Sequence, residues 1–96
     1  MADTYIYVIA ESERGPVKVG VSDNPDARLS TLQCGNPTRL FIAGKFPLVD
    51  RTSAARTEKE LHLQFGRYSL CGEWFDLDVL DTINYITGHI KNQAVS

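Results

Sequence analysis

Two short runs of β-forming residues near the N-terminus constrain the fold more than any other feature of this chain. Aromatic and β-branched residues fill Tyr5–Ala10, and apolar residues alternate with polar or small ones along Val17–Val21. The polar stretch between the two runs contains Gly15-Pro16, a pair typical of turns. The pattern therefore predicts two antiparallel strands joined as a hairpin.

The sequence does not fix the register of this hairpin, and that register decides which side chains meet above the sheet. A register that pairs Ala10 with Val17 places Tyr7 opposite Gly20 and sets Lys18 diagonally across from Tyr7. We expect the glycine to leave open space, and the ammonium to stabilise a phenolate and so lower the pKa of Tyr7. A cross-strand pair at the rim of the sheet, without chemistry, explains the same pattern.

Turn and cap signals in the rest of the chain predict four further elements. They are a helix from Pro25 to about Gln33 after an Asn24 cap, a strand over 39–46 that Pro47 ends, a helix capped by Asp50 or Thr52, and a last helix that Asp76 caps and Gly88 can interrupt. We therefore expect an α+β fold, a three-stranded antiparallel sheet flanked by helices in the order β-β-α-β-α-α. The 96 residues predict a single domain over 1–96, with a core over about 4–90.

The composition excludes several classes of protein. No run approaches about 18 apolar residues, and no basic segment followed by a hydrophobic one opens the chain, so we expect neither a membrane span nor a secretory signal. Cys34 and Cys71 lie far apart in sequence, which argues against a zinc cluster. Reduced cytosolic thiols are the default, and one disulfide stays open.

Charge is unevenly distributed along the chain. The net charge is −2 and the sequence pI is about 5.6, which argues mildly against a nucleic-acid partner. Residues 28–67 nevertheless carry seven basic side chains against three acidic ones. This basic middle segment could face phosphate, or it could belong to an ordinary mixed surface.

A carboxylate and an imidazole interrupt the apolar face of the helix predicted over 54–65. At about 100° per residue, Glu58 and His62 fall inside the arc that holds Leu61 and Phe65. Such groups are costly to bury without partners, so a metal ion, a catalytic role or a satisfied buried hydrogen bond is expected. The polar residues predicted to point away from this arc are Arg56, Thr57, Lys59, Glu60 and Gln64.

Two further polar residues stand out. Arg28 is the fourth residue of the first predicted helix, where a cation near the positive end of the helix dipole costs roughly 0.3–1 kcal/mol. From there its guanidinium could reach across the sheet to a phosphate oxygen, or it could be solvated. Glu73, next to Trp74, could hydrogen-bond His62 or a backbone amide, or the segment could simply cover the core.

Taken in order, these residues resemble the GIY-YIG nuclease family, particularly its compact phage-type branch. The matching segments are Y-I-Y-V-I at 5–9, K-V-G at 18–20 with Lys18 in place of the usual tyrosine, the helix start at 23–29 with Arg28, E-K-E-L-H at 58–62 and G-E-W-F at 72–75. The resemblance covers about residues 4–86. Neither glycine-isoleucine-tyrosine nor tyrosine-isoleucine-glycine is literally present, and we expect no additional DNA-binding domain within these 96 residues.

The resemblance implies metal-dependent endonuclease activity on DNA. It implies Tyr7 as general base, directly or through Lys18, Arg28 as stabiliser of transition-state charge, and Glu58 as ligand of one divalent ion. Mg²⁺ is the expected ion and Mn²⁺ the alternative. The residues expected to position this machinery or the substrate are Tyr5, Gly20, His62 and Glu73.

The same resemblance implies partners and a location. DNA is the expected partner, including branched or single-stranded forms, with target choice left to a homodimer or to a separate DNA-targeting protein. No membrane contact is expected, and the expected location is the cytoplasm of a bacterial or phage-infected cell. Two other functions stay open: a nucleic-acid-binding module that does not cleave, favoured by the acidic pI and by Lys18, and a small protein-interaction domain.

Overall fold

The structure, a computed structural model, describes residues 4–95. Its elements are β1 (Thr4–Ala10), β2 (Val17–Ser22), α1 (Pro25–Cys34), β3 (Phe41–Leu48), α2 (Arg51–Gln64), a short 3₁₀ helix (Gly66–Tyr68), β4 (Ser69–Cys71), β5 (Trp74–Phe75) and α3 (Val79–Val95). The strands form one five-stranded sheet in the order β3-β1-β2-β5-β4, and every pairing is antiparallel.

The expected three-stranded sheet in the order β-β-α-β-α-α is therefore wrong. The observed order is β-β-α-β-α-β-β-α, because β4 and β5 extend the sheet beyond β2. The two added strands contain only three and two residues, too few for alternation to be recognised in the sequence. Pairing of Val17 with Phe75 and of Lys18 with Trp74 attaches them to the hairpin.

Of the registers that the sequence leaves open, the hairpin adopts the one that places Tyr7 opposite Gly20. Ala10 pairs with Val17, and Tyr7 pairs with Gly20 on one side and with Lys45 of β3 on the other. Pro47 does not end β3, which continues to Leu48. Because β3 is an edge strand, a residue without an N–H can be accommodated there without breaking a central ladder.

Alternating side chains place helices on both faces of the sheet. Ile6, Val8 and Val19 point to one face, where they pack with Leu61 of α2 and Ile86 of α3. The opposite face carries a smaller apolar cluster of Tyr7, Ile9 and Leu40, against which Leu29 and Leu32 of α1 pack. Residues on α1 and α2 therefore reach the sheet from opposite sides, and they can meet only around an edge or an end of it.

Helix starts follow their capping residues. Asn24 Oδ1 accepts from the Ala27 N–H at 3.1 Å, and Asp50 Oδ1 accepts from the Ser53 N–H at 2.7 Å, so both predicted caps are confirmed. The last helix is capped by Asp78, whose Oδ1 accepts from the Asp81 N–H at 2.7 Å, and not by Asp76. It continues through Gly88 without a break.

The solvent-facing side predicted for α2 is partly wrong. Thr57 is 1% exposed, and its hydroxyl contacts Gln93 Oε1 at 3.3 Å. Glu60 Oε1 lies 2.9 Å from His89 Nε2 and 2.8 Å from Gln93 Nε2. Both partners belong to α3, which covers this side of α2, and the periodicity of one helix cannot reveal a second layer.

Two further observations concern the predictions from composition. Cys34 and Cys71 are both free, exposed thiols. Among the described residues, the structure contains no helix with the length and apolar character needed to cross a bilayer.

Candidate active site

The candidate site forms at the edge of β2, where its pairing with β5 ends. Beyond Lys18, the backbone groups at that edge hydrogen-bond side chains and a loop instead of another strand. The Val19 carbonyl accepts from His62 Nε2 at 2.8 Å, and the Val19 N–H donates to the Glu73 carbonyl at 3.2 Å. The Val21 N–H hydrogen-bonds the Glu58 carboxyl. The short β5 therefore leaves room for polar residues of α2 at the sheet edge.

Tyr7 occupies the space above Gly20. The tyrosine is 1% exposed, and a Cβ built on Gly20 would lie 2.4 Å from its hydroxyl oxygen and 2.6 Å from Cζ. The expectation of open space above the glycine is therefore wrong, because the phenol itself fills that space. Only a residue without a side chain lets Tyr7 adopt this position.

Arg28 reaches Tyr7 from α1. Its guanidinium hydrogen-bonds the Tyr7 hydroxyl, and this contact raises the pKa of Arg28. The arginine is otherwise exposed. The site thus holds a permanent positive charge that contacts a buried phenol on one side and solvent on the other.

The pKa of Tyr7 is raised above its ordinary value, mainly because the phenol is buried. The hydrogen bond and the charge of Arg28 oppose this rise, while the carboxylates of Glu73 and Glu58 add to it. The expectation that Lys18 lowers this pKa is therefore wrong. In the protein alone, the phenol is protonated at neutral pH.

Lys18 is engaged by two other residues. Its Nζ lies 3.2 Å from Glu73 Oε1 and 5.8 Å from the centroid of the Trp74 ring. The lysine is buried, so these contacts compensate a charge that is largely removed from water. Lys18 therefore fixes the position of the Glu73 carboxylate beside Gly20.

Glu58, His62 and Glu73 bring three metal-binding groups together. One potential ligand atom from each of them lies within 4.8 Å of the other two. Burial raises the pKa of Glu58, the charge and hydrogen bond of Glu73 raise it further, and His62 and the Val21 N–H lower it. Two carboxyl groups in contact resist simultaneous ionisation, and a cation between them would relieve this repulsion.

This donor set fits a divalent cation. The carbonyl of Val19 can only accept a hydrogen bond, so His62 Nε2 is the protonated nitrogen, and in the neutral ring Nδ1 keeps its lone pair. Carboxylate oxygens are the ligands that Mg²⁺ and Mn²⁺ prefer, and an imidazole nitrogen is acceptable to Mn²⁺.

The fold brings together most of the residues that the sequence singles out. Those that meet at the edge of β2 are Tyr7, Lys18, Gly20, Arg28, Glu58, His62 and Glu73. Tyr5 lies two residues from Tyr7, and Lys45 Nζ lies 5.7 Å from the centroid of the Tyr5 ring. Lys45 is one of the seven basic residues of the middle segment, and only the pairing of β1 with β3 places it beside this site.

Comparison with known proteins gives one family. The family model of the T5orf172 domain matches residues 4–90, nearly the whole chain. Neither the curated proteins nor the solved structures contain a match. The T5orf172 domain is phage-associated and is related to the GIY-YIG/HNH-like nuclease superfamily. Because the match covers more than half of its residues, the chain belongs to the T5orf172 domain family.

Proposed function

We propose that this protein is a metal-dependent endonuclease of the GIY-YIG type that hydrolyses phosphodiester bonds in DNA. The observation that carries the proposal is the meeting of the Tyr7 phenol, the Arg28 guanidinium and the Glu58 carboxyl at the unpaired edge of β2. Membership of a nuclease-related family supports it independently. A base, a charge-stabilising cation and a metal ligand are the parts that phosphodiester hydrolysis requires.

In this proposal Tyr7 acts as the general base. Its phenolate takes a proton from the attacking water, and the water oxygen forms the new bond to phosphorus while the bond between phosphorus and the leaving oxygen breaks. The phenol must first lose its own proton, and Arg28 favours that loss by hydrogen-bonding the oxygen. Lys18 acts indirectly, by holding Glu73 in place.

Arg28 stabilises the transition state. Its guanidinium is charged at every accessible pH, and its exposed side is open to a phosphate group of the substrate. Negative charge grows on the non-bridging oxygens as water adds, so this contact strengthens during the reaction. The same group therefore activates the base and binds the scissile phosphate.

Glu58 holds the divalent ion, with Glu73 and His62 beside it. When bound, the ion supplies positive charge, which stabilises the leaving oxygen and offsets the carboxylate charges that raise the pKa of Tyr7. Mg²⁺ commonly binds to one or two protein carboxylates and keeps several waters, which suits this arrangement.

The raised pKa of Tyr7 and the presence of Lys18 favour a second candidate, a nucleic-acid-binding module that does not cleave. The deciding experiment incubates the protein with supercoiled plasmid, single-stranded DNA, branched DNA and RNA, in Mg²⁺, Mn²⁺ or EDTA. We expect nicking of DNA in the presence of metal, and its loss in Tyr7→Phe with binding retained. Binding without cleavage in any metal would select the second candidate, and no binding at low salt would reject both.

A further inference from the structure

A polar groove continues from the candidate site between the first turns of α1 and α2. It has a volume of about 410 Å³, and Arg28 lines it together with Thr31, Arg51 and residues 21–24. Arg28, which contacts Tyr7, therefore borders both the candidate site and the groove.

The α1 wall of the groove is one face of the helix. Asn24, Ala27, Arg28 and Thr31 follow the i, i+3, i+4, i+7 spacing that aligns side chains along a helix. All four are exposed, whereas the apolar residues of α1 pack against the sheet. This face is therefore free to contact a ligand, and its one charged residue is basic.

The α2 wall contributes Arg51. Seven residues separate it from Glu58, so the two lie on the same side of the helix, two turns and about 10.5 Å apart along its axis. Arg56, also exposed, lies about 140° around the helix from Arg51 and does not line the groove. The groove thus meets α2 at Arg51, on the side of the helix that also carries the proposed metal ligand.

An ion pair fixes the position of Arg51 but leaves most of its N–H donors available for a ligand. Its Nη2 pairs with Asp23 Oδ2, while Asp23 Oδ1 accepts from the Thr4 hydroxyl at 3.0 Å. The Arg51 side chain remains 69% exposed, and a guanidinium has five N–H donors, most of which this contact leaves for a ligand. Asp23 therefore orients Arg51, and the pair neutralises the acidic charge in the groove.

We propose that this groove binds the DNA backbone next to the scissile phosphate, and that Arg51 contacts a flanking phosphate. The inference rests on the proposed function, because it takes Arg28 as the residue at the cleaved bond. Arg28 and Arg51 on opposite walls give two cationic contacts to one strand, and guanidinium forks suit phosphate oxygens. Arg51 makes no contact with the reacting atoms, so it is a positioning residue.

The test measures binding of a fluorescent DNA duplex by anisotropy in EDTA, where no cleavage interferes. The proteins are the full chain, Arg51→Ala and the matched control Arg56→Ala. Both variants lose one positive charge from the same helix, so a difference between them reports position. We expect Arg51→Ala to bind about tenfold more weakly at low salt and equally so on duplexes of unrelated sequence. Its log–log salt slope should be shallower by about 0.9, and Arg56→Ala should match the full chain.

The outcomes separate this inference from the proposed function. Equal salt slopes and affinities for Arg51→Ala and Arg56→Ala would overturn the groove as a phosphate site, as would an unmodified chain that does not bind DNA. If the chain cleaves DNA but Arg51→Ala binds normally, only the groove assignment fails. If Arg51→Ala lowers the slope but no metal supports cleavage, the groove stands and the proposed nuclease activity fails.

Discussion

The contact between Gly20 and Tyr7 gives a prediction whose size follows from the structure. In Gly20→Ala the new methyl carbon would lie 2.4 Å from the Tyr7 hydroxyl oxygen, far inside van der Waals contact. Tyr7 is enclosed, so it cannot move without disturbing its neighbours. Overpacking of this kind typically costs about 1–3 kcal/mol of unfolding free energy.

Gly35→Ala is the matched control. No atom lies within 4 Å of a Cβ built on Gly35, and its φ of −103° is open to alanine. Both substitutions restrict the unfolded chain similarly, by roughly 0.4–1 kcal/mol, so this term cancels between them. The difference in stability between the two variants should therefore be about 1–3 kcal/mol, or about 4–8 °C in Tm for each kcal/mol.

Urea and thermal unfolding followed by circular dichroism would measure this difference. In a Tyr7→Ala background the two closest atoms are gone and only the end of the Glu73 side chain, whose Oε1 lies 3.0 Å from the new Cβ, has to shift, so Gly20→Ala should there cost much less than in the unmodified chain. Equal stability of the two single variants, with an unchanged tyrosine signal in the near-ultraviolet, would refute the placement of the phenol above Gly20.

Four other predictions follow from the site and its helix. The base has a raised pKa, so kcat/KM should rise about tenfold per pH unit between about pH 7 and 9, and a flat profile would exclude Tyr7 as base. Tyr7→Phe and Arg28→Ala should each slow cleavage about 10²–10⁴-fold. The double variant should be slowed by less than the product of the two single effects, because the two side chains share a hydrogen bond. Fully multiplicative effects would contradict that contact. Glu58 has a raised folded-state pKa, so its ionisation opposes folding above about pH 4.5. In metal-free buffer at pH 7, Glu58→Gln should therefore be more stable than the unmodified chain, and this difference should disappear as the pH falls below about 4.5. Asp50 has a lowered pKa because its carboxylate accepts a hydrogen bond from the Ser53 N–H. Its contribution to stability is therefore present at neutral pH and is lost as the pH falls through its folded-state pKa. Denaturant titrations of Asp50→Asn should not show this pH-dependent loss of stability.

Local sequence signals predicted the parts of the fold that local interactions decide. The turn at Gly15-Pro16 and the alternation on each side predict the hairpin, and the structure then shows the register that pairs Tyr7 with Gly20. The caps at Asn24 and Asp50 depend on hydrogen bonds that span three residues. These features involve residues near one another in the chain, so one sequence is enough to find them.

The structural predictions were wrong where segments that are distant in sequence contact each other. The two residues of β5 form a strand only because β2 offers an unpaired edge, and nothing in Trp74-Phe75 alone indicates that pairing. Glu60 resembles a solvated helix residue until α3 places His89 beside it. Both cases require the tertiary arrangement, which local patterns do not contain.

The candidate site shows the same division. The sequence motifs identified Tyr7, Arg28 and Glu58, and the structure brings them together. The direction of the Tyr7 pKa was wrong because burial outweighs the nearby charges, and burial depends on the whole fold. Arg51 was only one of the seven basic residues that could face phosphate, and its position beside the site follows from how α1 and α2 pack around the end of the sheet.

The central claim is that Glu58 holds the ion for DNA cleavage, and comparison of Glu58→Gln with Glu60→Gln in a Mg²⁺ titration tests it most directly. Both variants remove one carboxylate from α2, but Glu60 contacts His89 and Gln93 away from the site, and glutamine keeps an acceptor for those contacts. The measurement follows plasmid nicking and Tm in the same series of Mg²⁺ concentrations. We expect Glu58→Gln to lose both cleavage and the Mg²⁺-dependent rise in Tm, and Glu60→Gln to keep both within severalfold. Loss of Mg²⁺-dependent cleavage in Glu60→Gln, with Glu58→Gln unaffected, would contradict it.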